Sequence, residues 1–164
     1  MHGMPPSDIP REILSEWRNL HSEMEGAPAQ ELDQLRYLAL DRQIRSWPRD
    51  VQNDPYFFAS HRIAKHLKEQ SQYEVIVAFN EFSAPTLEEG FDIASRMGVK
   101  KVVVITPMMT RGGSHSERDI PRAVEQARLK YPGMNLIYVW PFDEDQIAGF
   151  LNRQLAPYLE GLKS

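Results

Sequence analysis

The chain has 164 residues, of which 41% are hydrophobic and 26% charged, a balance that predicts one globular domain with a hydrophobic core. A net charge of −4 argues against a nucleic-acid-binding protein, and the absence of cysteine excludes disulfides, thiolate metal sites and cysteine nucleophiles, so that any metal must bind histidine, carboxylate or water oxygen. No apolar run approaches membrane-spanning length, and the chain opens with neither a signal nor a transit peptide, so we expect a cytoplasmic protein.

The first part of the chain is predicted to be helical. Asp8 and Pro10 are typical of a helix start, and the helix that follows is expected to break at Gly26 and Pro28. A second amphipathic stretch ends at Pro48, and a turn-rich segment then opens a third helix. The apolar positions of these helices are Ile13, Leu14, Trp17, Leu20 and Met24, then Leu32, Leu35, Leu38 and Ala39, and finally Phe58, Ile63, Ala64 and Leu67.

From Tyr73 onward, short apolar runs alternate with amphipathic stretches. Thr86 and Glu89 form a capping-box pattern, and Asp119 is expected to cap the next helix. Orienting the side chain of His115 is the alternative role for Asp119. Because strands and helices alternate, the sequence predicts a parallel sheet and the α/β class. The predicted strands are 75–79, 102–105 and 136–139, and the apolar helix positions are Leu87, Ile93, Ala94 and Met97, then Val124 and Ala127, and finally Ile147, Phe150, Leu151, Leu155 and Leu159.

The unusual residues of the second part gather in the segments that follow its predicted strands. These segments are 80–85, 106–117 and 140–142, whereas the turns at the other ends of the strands are ordinary. In open parallel sheets, ligands bind outside the carboxyl ends of the strands. The sequence therefore predicts a functional site at this edge of the sheet.

His115 and Glu81 are the candidate metal-binding pair at that edge. They lie one strand–helix–strand unit apart, so adjacent parallel strands would bring them together. Neutral imidazole and carboxylate suit divalent cobalt, iron, nickel or zinc. His115 could instead be a solvated surface residue, and Glu81 could be a carboxylate favoured by the dipole of the following helix. Gly112 and Gly113 permit close backbone approach or loop movement beside His115.

Three segments carry a resemblance to a known family. The sequences at 78–82 (AFNEF) and 113–121 (GSHSERDIP) resemble those of the sirohydrochlorin chelatases, small relatives in the class II chelatase superfamily that also holds ferrochelatase. The start at 2–6 (HGMPP) resembles the family's other signature, a His-Gly step after its first strand. The resemblance implies a chelatase-like, flavodoxin-like three-layer domain. It also implies ATP-independent insertion of Co²⁺ or Fe²⁺, with Ni²⁺ as a further possibility, into sirohydrochlorin, and no nucleotide cofactor.

The resemblance further implies that two histidines and an acidic residue face the metal and act in catalysis, at positions His2, His115 and Glu81. His2 could instead be a disordered terminal residue, and Arg111 could be a solvated surface residue. Ordinary packing at the ends of strands is the alternative for the apolar candidates, which are Phe82, Met108, Met109, Trp140 and Phe142. The candidate substrate-binding residues are Asn80, Phe82, Met108, Met109, Arg111, Gly112, Gly113 and Trp140.

The chain departs from the family's pattern in two places. A hydrophobic strand precedes the first His-Gly step in the family, and only Met1 does so here, so we expect that strand to be missing from the chain. The long interval between His2 and Glu81 predicts a helical insertion at about 26–54 within a single domain, 1–164. A homodimer is expected. A non-catalytic metal or tetrapyrrole carrier of the same fold, or an inactive partner subunit, stays open as an alternative function.

Overall fold

A computed structural model of the chain describes residues 1–26 and 30–159. The chain forms two compact units, Met1–Gly98 and the residues from Val99 onward. The predicted helix break at Pro28 lies outside the described residues, and the single domain with an insertion stays a prediction. Within the described ranges, no helix combines the length and the apolar character needed to cross a bilayer.

Four helices make up most of the first unit: α1 (Arg11–Gly26), α2 (Glu31–Arg45), α3 (Pro55–Ser71) and α4 (Leu87–Arg96). Asp54 begins α3, because its carboxylate accepts a hydrogen bond of 2.9 Å from the Phe57 amide. The capping box predicted for Thr86 and Glu89 is confirmed at the start of α4. Met97 was predicted on the buried face of α4 but is 47% exposed, since it follows the last helical residue.

The hydrophobic core of the first unit lies between α1, α2 and the segment before α4. Trp17 of α1 is buried against the face of α2 that carries Leu40 and Ile44, four residues apart. The other apolar row of α2 is exposed, with Leu32 at 74%. The spacing of leucines therefore identified the helix but not the face that is buried. The buried members of this core are Ile9, Trp17, Leu40, Ile44 and Phe82.

The strand predicted at 75–79 is wrong. Only an isolated parallel bridge forms there, between Phe79 and Thr86. The neighbouring backbone instead bonds to the start of the chain: the Met1 amino group donates to the Ala78 carbonyl over 2.8 Å, and the Asn80 amide donates to the Met1 carbonyl over 3.1 Å. An apolar run indicates that a segment is buried. A strand also needs a neighbouring segment with which it pairs over several residues, and the periodicity of one segment does not show whether such a partner exists.

The second unit contains a parallel strand pair with a helical crossover. Strands β1 (Lys101–Val104) and β2 (Asn135–Tyr138) pair in the register Val102 opposite Leu136. A π-helical turn (His115–Asp119) and α5 (Ile120–Lys130) connect them, and α6 (Glu144–Leu159) follows β2. The α/β class and the parallel sheet are therefore confirmed.

Burial in the second unit is uneven. Helix α5 buries the predicted Val124 and Ala127 together with Ile120. Helix α6 has no buried residue among those described, and its apolar row is largely exposed to solvent. The exposed members of that row are Phe150, Leu151, Leu155 and Leu159.

Candidate functional site

In the first unit, His2 and Glu81 lie side by side. The His2 Nε2 atom is 4.0 Å from a Glu81 carboxylate oxygen, and the two side chains are 39% and 24% exposed. The backbones are also joined, because the Glu81 amide donates to the His2 carbonyl over 2.9 Å. The His2 amide donates in turn to the Tyr56 hydroxyl over 3.1 Å. Metal–ligand bonds of about 2.0–2.2 Å at a tetrahedral angle place two ligand atoms about 3.4 Å apart, so a small movement of either side chain would bring this pair to the spacing of two metal ligands.

Gly3 explains why a glycine follows the histidine. Its φ of +108° is a conformation that residues with a side chain rarely adopt. A Cβ atom added to Gly3 would lie 1.8 Å from the carbonyl oxygen of Glu81. The His2 backbone can therefore approach Glu81 only because position 3 has no side chain.

Glu81 belongs to a tight turn, residues Asn80, Glu81, Phe82 and Ser83, which we call the 80–83 loop. Phe82 has a left-handed φ of 57°, and the Ser83 amide donates to the Glu81 carbonyl over 2.6 Å. A left-handed conformation costs a residue with a side chain about 1–3 kcal/mol, which the surrounding contacts must offset. Burial of the Phe82 side chain is one such contact, since it is 8% exposed and its ring lies 4.8 Å from Trp17, centroid to centroid. Phe82 was expected to contact a substrate ring, but the structure places it in the core.

In the second unit, His115 is held by Asp119. The His115 Nδ1 atom lies 2.7 Å from a carboxylate oxygen of Asp119, and the histidine side chain is 19% exposed. Asp119 makes no capping bond to α5, so its predicted capping role is wrong; its carboxylate contacts His115 and Arg118 instead. With the proton on Nδ1, the basic nitrogen of His115 is Nε2, the arrangement that carboxylates impose on metal-binding or proton-accepting histidines.

The loop after β1 carries several of the predicted substrate-binding residues. Arg111 is exposed, with its Nε atom 3.6 Å from the Glu117 carboxylate. The same carboxylate accepts a 2.9 Å hydrogen bond from the Gly112 amide, and Gly112 has a φ of +88°. Met108 and Met109 are half-buried. The segment therefore presents one guanidinium group and two apolar side chains close to His115 in sequence.

Aromatic side chains follow β2. The Trp140 ring stacks on Tyr138 with centroids 6.5 Å apart, and Phe142 meets Trp140 edge-on at 5.5 Å. Trp140 and Phe142 are half-buried. Since β1 and β2 are parallel, Trp140 and the loop carrying Arg111 leave the same edge of the strand pair.

Sequence reasoning missed Tyr138, which supports the turn that carries His115. Its hydroxyl donates to the Ser116 carbonyl over 2.9 Å. Burial, reinforced by the negative charge of Glu117, raises the pKa of Tyr138 to about 12. No local pattern marks this residue, because its bond crosses from β2 to the π-helical turn.

We expect Tyr138→Phe to lower the free energy of unfolding by about 0.5–1.5 kcal/mol, because the Ser116 carbonyl loses its donor. The folded pKa lies above the usual value near 10, so the wild-type contribution is complete below about pH 10 and is lost as the pH rises towards 12. Urea unfolding at pH 8 and pH 11 measures both effects. Tyr158→Phe, at an 80% exposed position of the same unit, is the control and should change neither value. Equal losses in the two variants would contradict the assignment.

Comparison with known proteins identifies the family of the chain. The model of the CbiX family matches residues 58–156, more than half of the chain. A sirohydrochlorin ferrochelatase of Priestia megaterium is 29% identical over 70 residues, which cover 43% of this chain and 26% of that protein. A sirohydrochlorin cobaltochelatase of the same organism is 39% identical over 67 residues, covering 41% of this chain and 22% of that protein.

A third relative is matched over most of its length. The sirohydrochlorin cobaltochelatase of Saccharolobus islandicus is 31% identical over 93 residues, which cover 52% of this chain and 72% of that protein. In contrast, the matched region spans only about a quarter of the length of the two Priestia proteins.

Proposed function

Because the chain belongs to the CbiX family, we propose that it inserts a divalent metal, Co²⁺ or Fe²⁺, into sirohydrochlorin without a nucleotide. The observation that carries the proposal is the His2–Glu81 pair, whose nitrogen and oxygen are 4.0 Å apart and whose side chains are partly exposed. The metal is a substrate of this reaction. Imidazole and carboxylate ligands suit both cobalt and iron, and the insertion assay compares the two metals directly.

The chemistry explains the need for these groups. A free-base tetrapyrrole carries two inner N–H protons, and both must leave as the metal enters. We propose that His2 and Glu81 of the first unit, with His115 of the second, are the metal-facing groups that bind the hydrated ion and accept those protons. Asp119 would stabilise the imidazolium form of His115 after it accepts a proton, through the 2.7 Å contact at Nδ1.

Substrate contacts are assigned to the loops around these groups. Sirohydrochlorin carries many carboxylates, and Arg111 offers an exposed guanidinium fork for one of them. Met108, Met109 and Trp140 offer apolar contact to a flat ring. Asn80, Gly112 and Gly113 are the remaining proposed substrate contacts. We also propose that the protein is a homodimer and that it is located in the cytoplasm.

The test is a spectrophotometric insertion assay with sirohydrochlorin and Co²⁺ or Fe²⁺. We expect conversion above the metal-only background, and a loss of about 10²-fold or more in Glu81→Gln, because glutamine keeps the size of the side chain but accepts no proton. Glu74→Gln is the control, since Glu74 is an exposed partner of Lys68.

Absence of conversion by the wild-type chain would contradict the proposal. Saturable sirohydrochlorin binding without conversion would favour a carrier of the same fold instead. Equal rates for wild type and Glu81→Gln would remove Glu81 from the metal-facing groups.

A further inference from the structure

We propose that Arg45 and Arg49 are positioning residues for the metal site. Their guanidinium groups hold the backbone of the 80–83 loop and so set the direction of the Glu81 carboxylate. The inference rests on the proposed function, because it concerns the metal-facing role of Glu81. Neither arginine stands near Glu81 in sequence, and all the contacts that carry the inference lie within the first unit.

Arg45, the last residue of α2, reaches both ends of the loop. Its Nη1 donates to the Ser83 carbonyl over 2.7 Å, and its Nη2 donates to the Asn80 carbonyl over 3.2 Å. Its Nε is anchored by Asp41 over 2.6 Å, and Asp41 also accepts from the Trp17 indole. The guanidinium plane is therefore fixed on one side by an ion pair and presents its other donors to the loop.

Arg49 reaches the middle of the loop. Its Nη2 donates a short hydrogen bond to the Phe82 carbonyl, and its Nε pairs with Asp54 over 2.9 Å. The two charged side chains are only 7% and 1% exposed. Remaining donors of Arg49 bond to the carbonyls of Arg45 and Trp47, which ties it to the end of α2.

Together these bonds give each of the four backbone carbonyl groups of the 80–83 loop a hydrogen-bond donor. Those of Asn80, Phe82 and Ser83 accept from guanidinium groups, and that of Glu81 accepts from the Ser83 amide. Charge-assisted bonds of this kind are about twice as strong as neutral ones. Since the peptide groups on both sides of Glu81 are held, its side chain leaves the backbone in one direction, beside His2.

The geometry separates this role from general stabilisation of the helices. Arg36, also on α2, makes an equally complete ion pair, with bonds of 2.6 and 2.8 Å to Glu16. Those bonds join α2 to α1 and do not involve the 80–83 loop. Arg36 is therefore the control for removing a paired arginine from the same helix, at a more exposed position, 56% against 14% for Arg45.

The experiment is a Co²⁺ titration of the full chain, followed by visible absorbance, for wild type, Arg45→Met and Arg36→Met. We expect the apparent Kd for Co²⁺ to rise about tenfold or more in Arg45→Met, as is typical when a residue that orients a metal ligand is lost, and to stay within about twofold in Arg36→Met. Arg45→Lys should regain only part of the affinity, because an ammonium cannot supply the planar set of donors. Hydrogen exchange of the 80–83 amides should speed up in Arg45→Met and not in Arg36→Met.

The outcomes distinguish this inference from the proposed function. Wild type that binds no Co²⁺ would contradict the proposed function itself. If Arg45→Met bound Co²⁺ as tightly as wild type, the positioning role alone would be overturned. The same would follow if Arg36→Met lost as much Co²⁺ affinity as Arg45→Met. If Arg45→Met does not fold, Arg45→Lys carries the test, and wild-type affinity in that variant would overturn the inference.

Discussion

We expect His115→Ala to lower the rate of metal insertion by about 10²–10⁴-fold, the usual contribution of a positioned proton acceptor. The substitution removes an imidazole whose Nδ1 is engaged by Asp119, an arrangement that leaves the basic lone pair of the ring on Nε2. The insertion assay with sirohydrochlorin and Co²⁺ measures the loss. Thermal unfolding measured in parallel should change little, because the His115 side chain is only partly buried.

Two further variants sharpen the His115 experiment. Asp119→Asn should reduce the rate by about 10–100-fold, because the carboxylate orients the ring without touching the substrate. His66→Ala removes an exposed histidine that pairs with Glu69 on α3, and it should leave the rate unchanged. A loss in His66→Ala comparable to that in His115→Ala would mean that the assay reports nonspecific metal binding by surface histidines.

Among the described glycines of the first unit, we expect Gly3→Ala to be the most destabilising alanine substitution. Alanine disfavours a φ of +108°, at a cost of more than about 1 kcal/mol, and its Cβ would overlap the Glu81 carbonyl. The chain can relieve that overlap only by moving His2 away from Glu81. Co²⁺ titration and thermal unfolding should therefore show lost affinity together with lower stability.

Gly98→Ala is the matched control for Gly3→Ala. Gly98 also has a positive φ, +70°, but a Cβ there meets no atom within 4 Å. It should cost about 1 kcal/mol of stability and leave Co²⁺ affinity intact. If the two variants bound Co²⁺ equally well, close packing of Gly3 on Glu81 would not be needed for the site.

The parts of the fold that were predictable carry local signals. Thr86 and Glu89 lie within one helical turn, so their capping box is visible in the sequence and present in the structure. The short apolar run at 136–139 identified β2 to within one residue, and this segment does have a strand partner. The similar run at 75–79 led to a wrong strand prediction, since only Phe79 forms a bridge and the run has no strand partner.

The candidate site likewise has residues that could be predicted from the sequence and residues that could not. Glu81 was selected from its place at the end of a predicted strand and His2 through the family resemblance. The structure places the two together, and their role at a metal stays a prediction. Residues that connect distant segments were not predictable. The bond between Arg45 and Ser83 depends on how α2 packs on the loop, and the burial of Phe82 depends on Trp17. Such contacts are products of tertiary packing and leave no spacing pattern in the chain.

The π-helical turn at His115–Asp119 has a consequence for how the chain tolerates changes in length. A π-helical turn closes its hydrogen bonds over five residues, one more than an α-helical turn. Five residues of a π-helical turn rotate the chain by about as much as four residues of an α-helical turn, so a single-residue deletion there would restore ordinary α geometry and leave the segments on both sides nearly in phase. A deletion between His115 and Asp119 would place them three positions apart, which is still on one side of the helix. The turn is therefore a place where the chain can lose one residue without rotating α5 relative to the loop before it.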